Sequence, residues 1–317
     1  MKTIIIIILI VLAAYAIFVA GPAIVSFFSV YTRKTGTPFW KMNIEKSYYA
    51  PYKDKMFASL ARLEKLEQSD VTVTSDDGVK LAATYYPARA RDTVILVQGY
   101  NTVPLNNFVI IADYLHDHGY NVLMPDCRAH GRSEGRRCTL GLKEQYDLLK
   151  WIEYADRTLG SENIFIYGMS MGCATAAYAS DKIVNAKVGG LILDCGFSSS
   201  YEQLRHDMLE RHIPPFMLLP IIRSLGKHVL GVDIKTSVRS SLCRTGIPSL
   251  FLHGAADDTV PLSEGRLNFE SCASEKEMIT VEGAAHTMSF IAGADKVPDA
   301  VINFLIKHRK GEENEDI

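Results

Sequence analysis

The sequence lacks features that would point to several classes of protein. It has no excess of positive charge, because 34 Lys and Arg residues face 36 Asp and Glu residues, leaving a formal net charge of −2. Such a chain has no basic field to attract nucleic acid. Its 6 cysteines form no C-x-x-C pair, and no H-E-x-x-H segment occurs. We therefore predict no metal, no organic cofactor and no nucleic-acid partner.

Charged side chains are also missing between Thr3 and Thr32. About 20 apolar residues cross the hydrocarbon core of a bilayer, and this run is longer. We predict a single-pass transmembrane anchor over residues 1–32. A cleaved signal peptide is the alternative, with a cleavage site at Ala20-Gly21-Pro22-Ala23, although the apolar region of such peptides is usually shorter.

The charges that flank this run leave its orientation open. Lys2 precedes it, whereas Arg33, Lys34 and Lys41 follow it. An excess of Lys and Arg after the span would keep the following domain in the cytoplasm. A short positive amino terminus before a long apolar run can also act as a signal anchor that exports the rest. The side of the membrane is therefore not predicted.

After a juxtamembrane linker and helix (residues 33–69), the chain alternates between apolar runs and amphipathic stretches. Thr93–Val97 and Asn163–Tyr167 are apolar runs typical of strands buried on both faces, and helical patterns follow them. Strands that alternate with helices predict a mostly parallel central sheet with helices on both faces over residues 70–310. Residues 311–317 form an acidic tail.

The alternation breaks at about residues 198–245. This stretch is rich in large apolar side chains and has Pro214-Pro215 in its middle. We predict a small helical cap here. Phe216 and Met217 are candidates to line an acyl pocket, or else they pack the core of the cap itself.

The segment Gly168-Met169-Ser170-Met171-Gly172 is a G-x-S-x-G motif between a predicted strand and the helix-prone stretch Met171–Ala179. In that setting a strained turn projects the serine at the end of the sheet. A serine hydroxyl is a poor nucleophile until a neighbouring base takes its proton. Ser170 is therefore the candidate nucleophile, and an acid and a histidine should follow it in the chain.

Two later strand ends supply the acid and the histidine. Asp257 follows the predicted strand Pro248–Leu252, and His286 follows the next one. Because parallel strands place their carboxyl ends at one edge of the sheet, both side chains should meet Ser170 there. Asp258 is an alternative acid. Asp194, at another strand end, is a further alternative that we expect to be structural.

Together these segments resemble the α/β-hydrolase superfamily, near its single-pass bacterial esterase-like and peptidase-like members, from about Val71 to Lys310. Asp126–Ser133 is similar to the family's D-x-R-x-H-G-x-S loop, His253–Pro261 to its acid loop and Gly283–His286 to its histidine loop. The resemblance implies an α/β-hydrolase fold and favours Asp257 over Asp258. We expect His130 and His253 to brace their own loops.

The resemblance also assigns the oxyanion hole. Its donors would be the backbone N–H of Met171, directly after the nucleophile, and that of Tyr100, in the loop after Thr93–Val97. The family commonly has His-Gly in that loop, whereas this chain has Gln98-Gly99. The Gln98 side chain can form hydrogen bonds, so we expect the hole to form with a different brace.

These residues predict a serine hydrolase that cleaves a small-molecule carboxylic ester through an acyl-enzyme intermediate. The apolar cap and the predicted anchor favour a lipophilic acyl ester as substrate and the membrane as a partner. A serine peptidase or amidase of the same superfamily is one alternative, because the same three residues attack amides. A non-catalytic binding module with a hydrolase fold is the other. The oligomeric state is not predicted.

Overall fold

An eight-stranded sheet forms the centre of the computed structural model, which describes residues 1–34 and 44–310. The predicted acidic tail and part of the predicted linker lie outside the described residues. The strands are β1 (Ser69–Thr74), β2 (Lys80–Tyr86), β3 (Asp92–Val97), β4 (Asn121–Pro125), β5 (Asn163–Met169), β6 (Val188–Asp194), β7 (Ser249–Gly254) and β8 (Lys276–Val281). Their order across the sheet is β1-β2-β4-β3-β5-β6-β7-β8.

The sheet is mostly parallel, as predicted. Strand β2 is antiparallel to both of its neighbours, β1 and β4, and the other adjacent pairs are parallel. Every residue of β3, β5, β6 and β7 is buried, as expected for strands covered on both faces. The carboxyl ends of these strands therefore form one edge of the sheet on which loops can meet.

Helices pack on both faces of this sheet or form the cap, and α1 alone among those named extends away from the domain. They are α1 (Lys2–Tyr15), α2 (Gly21–Tyr31), α3 (Lys53–Leu63), α4 (Pro104–Asp117), α5 (Glu144–Arg157), α6 (Met171–Ala179), α7 (Ser200–Glu210), α8 (Pro215–Leu225), α9 (Arg239–Leu242), α10 (Leu262–Ser271), α11 (Ser289–Ala292) and α12 (Lys296–Lys307). Helices α3, α4, α11 and α12 share one apolar core, and α5, α6 and α10 share the core on the opposite face.

The first two helices form one continuous N-terminal helix from Lys2 to Tyr31. A π turn at Ala16–Ala20 joins α1 to α2. Pro22 gives the physical reason, because a proline has no N–H and its ring crowds the carbonyl four residues earlier, which a wider turn relieves. The helix is long and apolar enough to cross a membrane, by length and composition.

The two halves of this N-terminal helix differ in burial. The large apolar side chains from Ile4 to Phe18 are exposed. In α2, by contrast, Ala23, Phe27 and Tyr31 are fully buried at successive helical turns and pack with the cap helix α8. The second half is therefore docked on the domain, whereas the first half projects from it.

The predicted cap contains α7, α8, a second π turn at Gly226–Leu230, and α9. Helix α8 packs against α2 and also contacts the π turn of the N-terminal helix. Leu230, which ends the second π turn, lines the same cavity as Arg137, which pairs with Thr32 just after the N-terminal helix. The cap is therefore packed against the N-terminal helix.

Exposed apolar side chains mark the start of α8. Phe216 is 78% exposed, and Ile213 and Met217 are also exposed. This exposure contradicts the alternative in which Phe216 packs the core of the cap, whereas its role in lining an acyl pocket stays a prediction. Leu218, Leu219 and Ile222 occupy the buried face of the helix instead, and Phe216 falls on the opposite face.

Candidate active site

Ser170 sits on the turn between β5 and α6, at the carboxyl edge of the sheet. Its backbone has φ 55° and ψ −113°, a conformation that costs a non-glycine residue free energy and that surrounding contacts must hold. One such contact joins the Ser170 N–H to the carbonyl oxygen of Asp194, at the end of β6 (2.9 Å). The turn presents a half-buried hydroxyl in front of α6, as the motif predicts.

Neither of the two glycines of the motif has room for a side chain. A Cβ on Gly168 would lie 2.3 Å from the Gly172 carbonyl oxygen, and one on Gly172 would lie 1.8 Å from the Val97 carbonyl oxygen. Real Cβ atoms do not approach backbone so closely. The glycines therefore let strand, turn and the neighbouring β3 loop come together around the serine.

The structure brings His286 next to Ser170. Nε2 of His286 lies 2.9 Å from the Ser170 Oγ. Nδ1 of the same ring lies 2.8 Å from Oδ2 of Asp257. A carboxylate can only accept, so Nδ1 carries the proton and Nε2 is left to accept from the serine hydroxyl.

Asp257 is held by its own loop. Its second oxygen, Oδ1, accepts from the backbone N–H groups of Thr259 (3.0 Å) and Val260 (2.8 Å). The side chain is fully buried. These bonds fix the carboxylate so that Oδ2 faces the imidazole of His286.

The other candidate acids lie elsewhere. Asp258 is exposed, and its carboxylate accepts from the Tyr48 hydroxyl (2.8 Å). Asp194 is buried, accepts from the Tyr167 hydroxyl (3.0 Å), and has a pKa raised to about 6 because burial disfavours its charge. Asp194 thus braces the strand ends, as expected for a structural residue.

The two predicted oxyanion donors flank the serine. Met171 follows Ser170 and begins α6. Tyr100 lies in the loop after β3, where a Cβ on the adjacent Gly99 would be 3.5 Å from the Ser170 Cβ. Within residues 1–34 and 44–310, no hydrogen bond from either backbone N–H is found. Both donors are therefore available to a ligand at the serine.

The loop that carries Tyr100 is braced differently from the family's usual His-Gly loop. Nε2 of Gln98 donates to the Thr102 carbonyl oxygen (2.9 Å), and the Gly99 N–H donates to Oδ1 of Asn107 (2.9 Å). The Asn101 N–H donates to Nε2 of His130 (3.1 Å). Gln98 thus braces the loop, and His130 supports a second loop beyond its own.

Sequence reasoning missed several groups that surround this edge of the sheet. Tyr49, in the predicted linker, has its hydroxyl 2.7 Å from Oγ1 of Thr287, next to the histidine. The Tyr100 hydroxyl donates to the carbonyl oxygen of Val30 in the N-terminal helix (2.8 Å). No sequence signal marks these contacts, because each joins residues far apart in the chain without a motif.

Three ligand-type side chains cluster here, since donor atoms of Cys195, Asp257 and His286 lie within 4.8 Å of one another. Burial raises the pKa of the Cys195 thiol, which keeps it protonated. A protonated thiol is a poor metal ligand. Asp257 and His286 are also engaged with each other, so the cluster fits a proton relay better than a metal site.

Comparison with known proteins identifies the architecture. A family model described as alpha/beta hydrolase fold matches residues 92–218. The chain therefore has an α/β-hydrolase fold. The esterase Pf2001 of Pyrococcus furiosus superimposes with a TM-score of 0.64 at 21% identity, covering 78% of this α/β-hydrolase and 95% of the esterase. The alpha/beta hydrolase GrgF from Penicillium sp. gives a TM-score of 0.59 at 19% identity, over 77% and 99%.

Sequence relatives cover a similar part of the chain. The uncharacterized protein YqkD of Bacillus subtilis is 27% identical over 246 residues, which are 76% of this α/β-hydrolase and 80% of the relative. The uncharacterized membrane protein YNL320W of Saccharomyces cerevisiae is 25% identical over 239 residues, 75% and 79% of the two chains. These similarities support a hydrolase fold with esterases among its structural neighbours.

Proposed function

We propose that this protein is a serine hydrolase that cleaves a carboxylic ester through an acyl-enzyme intermediate. The observation that carries the proposal is the continuous chain from the Ser170 Oγ to Nε2 of His286 (2.9 Å) and from Nδ1 to Asp257 (2.8 Å). Nucleophile, base and orienting acid at these distances are the arrangement that activates a serine hydroxyl.

Each group has one role in the proposed reaction. The Ser170 Oγ attacks the ester carbonyl carbon while its proton passes to Nε2 of His286. The imidazolium then gives that proton to the leaving alcohol oxygen as the C–O bond breaks. Asp257 holds the Nδ1 proton and stabilises the imidazolium. A water molecule, deprotonated by the same Nε2, releases the acid and restores Ser170.

The charge that develops on the carbonyl oxygen needs donors. The backbone N–H groups of Met171 and Tyr100 are the proposed pair. Both are unengaged among the described residues and lie on either side of Ser170. Loss of one such donor typically lowers turnover by about 10²- to 10³-fold, so the position of the Tyr100 loop bears directly on rate.

We further propose that the N-terminal helix spans a bilayer and that the substrate is a lipophilic acyl ester. The exposed apolar side chains from Ile4 to Phe18 support the span, because no part of the described domain covers them. Cleavage near Ala20–Ala23 would cut a helix whose Ala23 and Phe27 are packed in the core, which favours a retained anchor over a signal peptide. The exposed apolar start of α8, including Phe216, supports a lipophilic substrate.

A fluorophosphonate probe tests the nucleophile. Wild-type protein should be labelled and Ser170→Ala should not, whereas Ser199→Ala, which alters a serine outside the relay, should keep its label. Equal labelling of wild type and Ser170→Ala would reject Ser170 as nucleophile. Folded wild-type protein that takes no label would favour the binding-module alternative.

The choice between ester and amide needs a second experiment. A panel of p-nitrophenyl esters of increasing acyl length and of peptide p-nitroanilides should show turnover of the esters. Faster turnover of the anilides would replace the esterase proposal with the peptidase or amidase one.

A further inference from the structure

We infer that the end of the N-terminal helix positions the oxyanion hole, so that the helix serves catalysis as well as anchoring. Val30–Lys34 is called here the helix-end segment, and residues 98–103 are called the oxyanion loop. This inference rests on the proposed hydrolase function for its meaning, because it concerns the loop that would supply the Tyr100 N–H.

The first link between the two is direct. The Tyr100 hydroxyl donates to the Val30 carbonyl oxygen at 2.8 Å. In a helix the last carbonyl groups have no partner within the helix, so Val30 offers a free acceptor at this position. The bond holds the side chain of the same residue whose backbone N–H is the proposed oxyanion donor. Tyr100 is therefore held from the helix as well as from its own loop.

The second link passes through His130. Nε2 of His130 accepts from the Asn101 N–H (3.1 Å), and Nδ1 faces the carbonyl oxygen of Arg128 (3.0 Å). The ring is fully buried, and burial lowers its pKa, which favours the neutral form that can accept at Nε2. Asn101 follows Tyr100 directly, so the position of His130 sets the position of the proposed donor.

The helix-end segment fastens the loop that carries His130. The Arg33 guanidinium donates to the carbonyl oxygens of Gly131 (2.7 Å), Ser133 (2.6 Å) and Gly135 (3.2 Å). The Lys34 N–H donates to the carbonyl oxygen of Ala129 (2.8 Å). One arginine side chain thus satisfies three backbone carbonyl oxygens between residues 131 and 135. Because the donor is charged, these hydrogen bonds are stronger than those from a neutral donor.

The oxyanion loop needs such support. Asn101 has φ 53°, a left-handed conformation that a residue other than glycine adopts at a cost. Its side chain is exposed and gives no packing to hold it there. The bonds from Val30 and His130 flank this position, so they oppose relaxation of the loop away from Ser170.

The helix-end segment can act as a fixed support because it is itself docked. Phe27 and Tyr31 are fully buried, and the Tyr31 carbonyl oxygen accepts from the Cys138 N–H (3.0 Å). Thr32 forms a bridge with Arg137. The end of the helix is therefore part of the same packed body as the sheet.

The test uses the full chain in detergent with a soluble short-chain p-nitrophenyl ester. Tyr100→Phe removes one oxygen atom and Arg33→Ala removes the clamp. Each should lower kcat about 10- to 100-fold with KM changed less than about 3-fold, because a small displacement of an oxyanion donor affects the transition state more than substrate binding. Arg33→Lys, which keeps a charged donor, should recover part of kcat. Arg136→Ala, an exposed arginine on the same loop, is the control and should match wild type.

Amide hydrogen exchange of residues 98–103 gives a readout independent of activity. Exchange should be faster in Tyr100→Phe and Arg33→Ala than in wild type and Arg136→Ala. Unchanged exchange and unchanged kcat in Tyr100→Phe would overturn the inference, and this variant is too small a change to unfold the protein. If the wild type hydrolyses no ester but exchange is still faster in Tyr100→Phe and Arg33→Ala than in the wild type, the positioning link stands and the proposed function is refuted.

Discussion

Nε2 of His253 lies 2.9 Å from the Val260 carbonyl oxygen and 3.6 Å from Oδ2 of Asp257. The ring is buried, and burial lowers its pKa, so a neutral imidazole donates to Val260 and adds no positive charge beside the carboxylate. The Val260 N–H in turn donates to Oδ1 of Asp257. His253 thus holds the loop that carries Asp257, and as a neutral ring it does not form an ion pair with the Asp257 carboxylate in place of His286.

His253→Ala should lower both the stability of the protein and its rate of ester turnover. It leaves the Val260 carbonyl without its donor, which should cost about 1 to 3 kcal/mol of unfolding free energy. His253→Gln, which keeps an N–H donor, should lose less. Urea unfolding followed by circular dichroism, with ester turnover on the same samples, measures both. Wild-type stability in the alanine variant would show that the loop does not depend on this bond.

Asp257→Asn should lower kcat by about 10⁴-fold, because an amide in place of the carboxylate favours the wrong imidazole tautomer. Asp258→Asn is the matched control, one residue along the same loop and exposed, and should stay within a few-fold of wild type. Steady-state ester hydrolysis decides between them. If the Asp258 variant is the inactive one, the assignment of the acid is reversed.

Asp194→Asn should change how stability depends on pH. The raised pKa of about 6 means that folded Asp194 keeps its proton where the unfolded chain has lost it. Its contribution is full below about pH 4 and is lost as the pH rises through 6. The stability of Asp194→Asn relative to wild type should therefore grow by roughly 2 to 3 kcal/mol between pH 4 and 7. A constant offset between the two unfolding curves would contradict a buried proton on Asp194.

Phe216→Ser should reduce hydrolysis of a long-chain ester embedded in vesicles several-fold and leave a soluble short ester unaffected. The reason is that Phe216 is an exposed apolar side chain on α8, the cap helix that contacts the N-terminal helix proposed to span the bilayer. Val184→Ser, at an exposed position after α6, is the control. Equal losses on both substrates would place Phe216 in folding or catalysis instead of at the lipid surface.

The sheet and the relay were predictable because their signals are local. Apolar runs identified β3 and β5 within a residue or two, and the spacing of Ser170, Asp257 and His286 relative to strand ends follows from parallel topology.

What the sequence could not indicate depends on contacts between distant segments. The predicted linker is docked at Arg33 and at Tyr49, whose partners lie about 100 and more than 200 residues away. Packing in the core of the cap was one of the two roles predicted for Phe216, and it is wrong because hydropathy alone does not tell which face of α8 meets the core. The π turn before Pro22 depends on how a long helix accommodates the missing N–H of the proline. The periodicity of apolar residues in the sequence does not indicate such a turn.

If the N-terminal helix spans a bilayer as proposed, the unbroken passage from α1 into the docked α2 sets the orientation of the domain relative to that membrane. A helix rises 1.5 Å and turns 100° for each residue, so the 30 residues extend about 45 Å, against about 30 Å for a hydrocarbon core. In that proposed arrangement, the remaining length would determine how far Ser170 lies from the lipid and which way the cap faces around the helix axis. A single residue inserted between Ile4 and Phe18 would swing the docked domain by more than a quarter of a circle relative to any neighbour that holds the amino terminus.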